Sequence, residues 1–367
     1  DGPFHWIPRY NHTSWKEAQR MSMSMARTTK PPGASAAPPM SSTPSAADGE
    51  PVLALRDSLL LSQRSSTIAR QMGMIERELM ASIDWSELSE PSWDQHTVRQ
   101  EQWQLEYQDY VMFRIRQTMN DEPSEGQKDA LRQTIHGRGI HMLIARFNRT
   151  CAWVASHIVR SNNIQERVAI VNKFIRIAWH CYRQGNMESL CQIMFGLQSP
   201  WIARLQQTWE QVSMWELRAF EALRRFTSPR EQFAFLRYSM REAIETNIPS
   251  RRFSPLTTSS SPYIPFFGQF VSDLSVIDSL ASFVDASGMP NTMPLYDDQE
   301  LSLSWDALVN VYRLRIKSHI VREFITLQRC QRQAPAPPME LPILIEVLQL
   351  DTLSAMAIQS TSLALEP

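Results

Sequence analysis

"ERVAIVNKFIRIAWHCYRQGNMESLCQIMFGL", residues 166–197, decides the fold class. Val171, Phe174, Ala178 and Cys181 recur at steps of three, four and three, which places them on one face of a 3.6-residue helix. Gly185 follows, the residue type that most readily takes the left-handed conformation closing a helix. "MESLCQIMFGL" then reads as a second helix. Outward toward the N-terminus, "HMLIARFNRTCAWVASHIV" (141–159) and "STIARQMGMIERELMASI" (66–83) keep the helical period; Ile68, Met72, Ile75, Leu79 and Ile83 form the apolar face of the latter.

Outward toward the C-terminus three helix starts are expected. Ser199-Pro200 offers a capping hydroxyl and a proline at the first helical position. Ser213 and Glu216 have capping-box spacing ahead of Leu217, Phe220 and Leu223. Ser228-Pro229-Arg230-Glu231 repeats the signal ahead of Phe233, Leu236 and Met240. A long helix is expected from Ser304, with Leu308, Val311, Leu314, Ile316, Ile320, Phe324 and Leu327 as its apolar stripe and Pro335, Pro337 and Pro338 ending it. A last apolar stretch, "LPILIEVLQL", precedes the tail "SLALEP". Almost nothing alternates with the strand period, so the expected fold class is all-α, one large multi-helix domain.

Residues 1–60 form a separate segment, Pro-, Ser- and Ala-rich over 28–51, with too little to bury; it reads as a disordered linker. The domain is placed at 61–367, with 94–137 and 248–261 as insertions, the first partly helical. The 367 residues carry 43% hydrophobic and 20% charged residues and a net charge of −1, so no general attraction to nucleic acid is expected. Four cysteines without a CxxC pair read as reduced, buried thiols. Eight scattered histidines give no metal spacing, and no apolar run approaches the ~20 residues that span a bilayer. No phosphate loop, dinucleotide fingerprint or nucleophile elbow is present. The residues leave a helical scaffold, an enzyme with dispersed catalytic groups, or a protein that acts on another protein's conformation. A repeat solenoid is disfavoured by the lack of self-similarity at 34–47 residues.

"PYIPFFGQFVSDLSVIDS", Pro262 to Ser279, is the unusual stretch: prolines, two phenylalanines and a glycine run into a helical segment. Pro265 fixes φ, Phe266 and Phe267 bring large apolar area, and Gly268 is expected to admit another backbone closely. Taken singly, Phe266, Phe267, Phe233 and Trp209 read as plain core, Arg315 and Lys317 as a solvated face, and Asp273 as a capping acid.

The ordered set of motifs resembles the catalytic domain of Ras-type guanine-nucleotide exchange factors, from about Ser66 to Pro367. "TIARQMGMIERELMASID" is similar to that family's first helix, "RFNRTCAWVASHIV" to its "FN…W" helix, and residues 166–212 to its most typical block. "PYIPFFG" resembles its opening of a helical hairpin, "ALVNVYRLRIKSHIVREFITLQ" the returning helix, and "SLALEP" its usual end. The resemblance implies an activator without covalent chemistry, cofactor or metal. Its hairpin, about 265–330, would insert between the switch regions of a Ras-like small GTPase of Ras or Rap type and loosen the nucleotide. A nucleotide held at picomolar affinity represents about −16 kcal/mol, so an interface above ~1,600 Å² is expected.

Residue by residue, the resemblance places Ser275, Asp278 and Ser279 on the inserting wedge. It places Ala145, Asn148, Gln198, Phe233, Phe266, Phe267, Gly268, Asp273, Leu274, Arg315 and Lys317 among GTPase contacts. Ala145 stands where the family is often basic, Gln198 where it often has Asn, and Ser279 where it has an acid. The expectation is steric displacement, with Asp278 supplying charge. A monomer is expected, cytoplasmic and drawn to the membrane when engaged with an anchored GTPase. Two other readings stay open: a family member that binds a GTPase without exchanging it, and an unrelated helical adaptor.

Overall fold

The structure, a computed structural model, describes residues 59–89, 98–119, 126, 139–247, 263–290, 308–335 and 337–366. The expected linker up to residue 58, the whole insertion at 248–261, the parts of the 94–137 insertion outside 98–119 and 126, and residues 304–307 at the expected start of the long helix lie outside the described residues. Within them the fold is all-α, as the periodicities imply. A two-stranded antiparallel sheet is added, β1 (Phe283–Val284) against β2 (Leu308–Val309), with Phe283 opposite Val309.

The centre is α5 (Gly139–Arg160), the "HMLIARFNRTCAWVASHIV" segment, in which Phe147, Cys151, Trp153, Val154 and Ile158 are fully enclosed. Around it stand α2 (Ser65–Ser82), α4 (Val98–Met119), α6 (Ile164–Arg183) and α7 (Met187–Leu197). The short α1 (Leu59–Ser62) packs on α6, and Lys173 donates to the carbonyl of Gln63 just beyond it. The α6 stripe buries as expected. Gly185 closes that helix with φ +72°, and Asn186 caps α7 by accepting from the Ser189 amide. The helical part of 94–137 is built into the core, where Tyr107 and Tyr110 are wholly buried.

One charged pair runs through this interior. Arg146 of α5 donates from Nε to Glu76 of α2 at 2.6 Å and from Nη1 to the Tyr107 hydroxyl and the Val347 carbonyl. It thereby joins α5 to α2, to α4 and to α14 (Leu341–Gln349). A buried guanidinium is tolerable only when paired and hydrogen-bonded in this way. The C-terminal α15 (Ala355–Leu365) leads to Glu366, whose carboxylate accepts from the amides of Gln207 and Thr208 and so caps α9 (Gln206–Glu210). Glu366 thus supplies a cap to a helix that lies far back along the chain.

Two expected helix starts stand without their expected caps, and a third is displaced. Ser199 precedes α8 (Pro200–Ala203) with proline at the first position, but its hydroxyl makes no cap bond. Ser213 precedes α10 (Met214–Phe226), yet no capping box forms, because Glu216 instead receives Arg176 Nε at 2.7 Å. Pro229 does not open a helix. Arg230–Gln232 form a 3₁₀ turn in which Glu231, Gln232 and Phe233 all have positive φ (51°, 56° and 62°), and α11 starts only at Ala234, ending at Asn247. Left-handed backbone at a bulky residue persists only where its surroundings enforce it; here Arg237 Nε donates to the Gln232 carbonyl at 2.6 Å.

Candidate functional site: a hairpin with a buried root and an exposed tip

The stretch Tyr263 to Ser279 becomes one arm of a helical hairpin. Its leading helix is α12 (Phe267–Asp278) and its returning helix α13 (Val311–Gln333), with β1 and β2 near the far end. The root is tied to the body by several independent bonds. Ile264 joins the α6–α7 turn as a parallel bridge: its amide donates to the Gly185 carbonyl and its carbonyl accepts from Met187, both at 2.8 Å. The Tyr263 carbonyl receives Gln331 of α13, and its hydroxyl meets Ser239 of α11 at 2.8 Å. The Phe267 amide donates to Glu188 of α7 at 2.7 Å.

Aromatic packing completes the root. Phe266 lies 5.7 Å from Phe147, 6.0 Å from Phe195 and 5.3 Å from Phe233, centroid to centroid. Phe267 and Phe270 close on Phe324 of α13 at 5.7 and 5.3 Å. Gly268 is required here for a reason other than the expected one. A Cβ on it would lie 2.8 Å from both Cε atoms of Phe266 and closer still to Cζ, so the glycine makes room for that ring, not for another backbone.

Two ion-pair clamps set the arm's direction. Arg237 of α11 grips Asp273 of α12 through both terminal nitrogens at 2.6 Å, a bidentate arrangement that fixes angle as well as distance. Asp278, the last residue of α12, accepts on Oδ1 from Arg313 Nη2 and from Lys317 Nζ, each at 2.7 Å, while Arg313 Nε holds the Ile277 carbonyl at 3.2 Å. Asp278 therefore braces the two helices. Its charge, expected from sequence to act on the partner, is met inside the hairpin by two cations. Asp273 likewise belongs to the body, and Lys317 is part of the brace.

The expected contact residues divide by burial. Ala145, Phe266, Phe267, Gly268 and Leu274 are buried, and Phe233 and Asn148 nearly so; none presents appreciable surface to a partner, because each fills the core or the hairpin root. The Ala145 carbonyl accepts from Gln104, and Gln198 closes α7 with its side chain on the Met194 carbonyl. Ser275 is half-buried on α12. Ser279 and Arg315 are exposed, the Ser279 hydroxyl donating to the Val276 carbonyl at 2.6 Å.

Beside these polar groups the hairpin exposes several large apolar side chains. Val276 is 60% exposed, Val309 51%, Val311 68%, Tyr312 67% and Leu314 51%. The apolar stripe expected along the returning helix is thus divided. Ile320, Phe324 and Leu327 are buried at the root, while Leu308, Val311 and Leu314 face solvent near the tip, with Leu308 in β2 and Asn310 capping α13. The turn after β1 carries an acid, Asp285, held below its usual acidity range by the Ser287 hydroxyl and the Met289 amide. Sequence reasoning missed Glu188, Arg237 and the brace made by Arg313. Arg237 and Glu188 act across 36 and 79 residues of chain, which no local pattern reveals.

A sequence profile of the RasGEF domain matches residues 67–315, which hold most of the all-α body, the leading helix of the arm and the start of the returning one. The chain belongs to that family. Among its relatives, the guanine nucleotide exchange factor LTE1 of Kluyveromyces lactis is 26% identical over 217 residues, covering 59% of this chain and 13% of that protein. Ras guanine nucleotide exchange factor C of Dictyostelium discoideum is 30% identical over 132 residues, 36% of this chain and 8% of that protein. Human Rap guanine nucleotide exchange factor 5 is 32% identical over 129 residues, 35% of this chain and 22% of that protein. The chain thus spans less than a quarter of the length of these curated relatives.

Proposed function

We propose that the chain promotes nucleotide release from a Ras-family GTPase, of Ras or Rap type, by presenting the hairpin tip to the partner's switch regions. The observation that carries this reading is the contrast along the arm: a root buried and tethered at Ile264, Phe267 and Asp273, and a tip exposing Val276, Val309, Val311, Tyr312 and Leu314. Solvent-exposed apolar side chains gathered on one projection mark an interaction site. With Asp278 neutralised by Arg313 and Lys317, and Ser279 bonded to its own helix, displacement is steric rather than a repulsion of phosphate. By linkage, the factor by which the chain weakens nucleotide binding is the factor by which nucleotide weakens binding of the chain. No helix among the described residues is long and apolar enough to cross a membrane. The proposed place of action is the cytoplasmic face of a membrane carrying the GTPase, with the chain acting as a monomer.

The test is release of fluorescent GDP from a panel of Ras-family GTPases. Tyr312→Asp and Leu314→Asp should each slow release at least tenfold, while the melting temperature stays near that of the parent, because exposed substitutions rarely change stability by more than about 0.5 kcal/mol. Unchanged release in both variants excludes the tip as the working surface. The neutralised Asp278 also favours a second reading, a chain that binds nucleotide-free GTPase without accelerating release. Tight capture of the nucleotide-free form, with no release from any GTPase of the panel, supports that second reading.

A further inference from the structure

The first amides of a helix have no acceptor within it and are normally satisfied by a polar residue at the N-cap. In α12 the N-cap is Phe266, whose side chain supplies no cap hydrogen bond, and the position is buried. Local sequence therefore leaves this helix start uncapped in the core. The deficit is met from another helix: Glu188 Oε2 of α7 accepts the Phe267 amide at 2.7 Å. Glu188 has no measurable exposure. Its Oε1 is approached by Gln192 Nε2 at 3.5 Å, and the same Gln192 nitrogen donates to Glu76 Oε1 at 3.1 Å, which in turn holds Arg146. Glu366, capping α9 whose own N-cap is Leu205, shows the same device.

We infer that Glu188 is a positioning residue for exchange: its carboxyl fixes the first turn of α12 and so sets the direction in which the hairpin points. The inference rests on the exchange reading above. The groups facing Glu188 are Glu76 from α2, Arg146 and Cys151 from α5, Cys191 and Gln192 from α7, and the Phe267 amide from α12. Burial, then the Glu76 carboxylate, pushes the Glu188 carboxyl well above the usual range, against the pull of the Phe267 amide, Gln192 and Arg146. What the Phe267 amide requires at this position is an acceptor oxygen, which a glutamine also supplies. A carboxyl whose acidity is weakened by folding contributes most below its unfolded value, and that contribution is lost as the pH rises. Glu188→Gln should therefore gain stability relative to the parent as the pH is raised from about 4.5.

The experiment compares Glu188→Gln with Glu188→Met, which keeps volume and removes the acceptor. Glu188→Gln should release GDP from a responsive GTPase within twofold of the parent. Glu188→Met should be slower at least fivefold at saturating concentration. Its backbone amides over 267–271 should exchange with deuterium at least fivefold faster, with α5 and α7 unchanged. Loosening of α5 and α7 to the same extent would make the residue merely part of the core and overturn the assignment. So would parent-like rate and protection in the methionine variant, or a glutamine variant as impaired as the methionine one. If the parent releases nucleotide from no GTPase, the exchange reading fails, and deuterium uptake at 267–271 still decides whether Glu188 fixes the hairpin.

Discussion

Asp278→Ala removes the brace between the hairpin's two helices, and the structure sets the size of the effect. One carboxylate oxygen takes two charge-assisted hydrogen bonds at 2.7 Å, from Arg313 and Lys317, with the three side chains 15%, 18% and 12% exposed. Hydrogen bonds to charged groups contribute about 1.5–3 kcal/mol each. Because the two share an acceptor they are not additive, so a total loss of about 2–3 kcal/mol is expected, part of it from two cations left facing each other. At about 1.4 kcal/mol per tenfold, that is a fall of about 30- to 140-fold in the population of the braced arm. Combining Asp278→Ala with Arg313→Ala should return a coupling of about 1.5 kcal/mol, of the size found for neighbours in one network. The assay is chemical denaturation of the four members of the cycle, beside stopped-flow release of fluorescent GDP. A coupling below about 0.5 kcal/mol would refute the brace. So would faster release in Arg313→Ala or Lys317→Ala, since that means the two cations mask a carboxylate that acts directly on the nucleotide site.

Two further outcomes follow from the packing. Gly268→Ala places a methyl group against the Phe266 ring and should cost about 1–3 kcal/mol in urea unfolding; a neutral result means the ring is free to move aside. His157 is lowered to about 4 by burial and then by Arg160, so it enters the fold neutral. Its contribution is present above its unfolded value of 6.5 and is lost as the pH falls from there toward 4, about 3 kcal/mol in all. His157→Phe, which keeps the edge contact with Trp153, should flatten that acid limb in a melting series from pH 7 to 4.5, and an unchanged slope assigns the loss elsewhere.

The helical body was legible because its period was: the Ile68–Ile83 and Val171–Cys181 faces bury as spaced. The hairpin was legible as an ordered motif, down to the aromatic pair at its root. Its site residues were not, for two reasons. Capping reasoning is local, and here Glu216 is taken by Arg176, while Phe233 lies in a left-handed turn before its helix. Second, a one-dimensional pattern separates apolar from polar but not one end of an element from the other. Leu314 and Leu327 belong to the same stripe, yet the first is exposed and the second buried. Asp278 looked like a free acid because the residues that neutralise it come 35 and 39 positions later.

The arm's slenderness magnifies small errors at its base. Twelve residues of α12 extend about 18 Å, so a tilt of about 5° where Phe267 meets Glu188 carries the far end sideways by about 1.6 Å, half the width of a van der Waals contact. A substitution too mild to register in a melting curve can therefore misaim the end proposed to meet the GTPase, and screens for altered exchange should sample the base as densely as the tip.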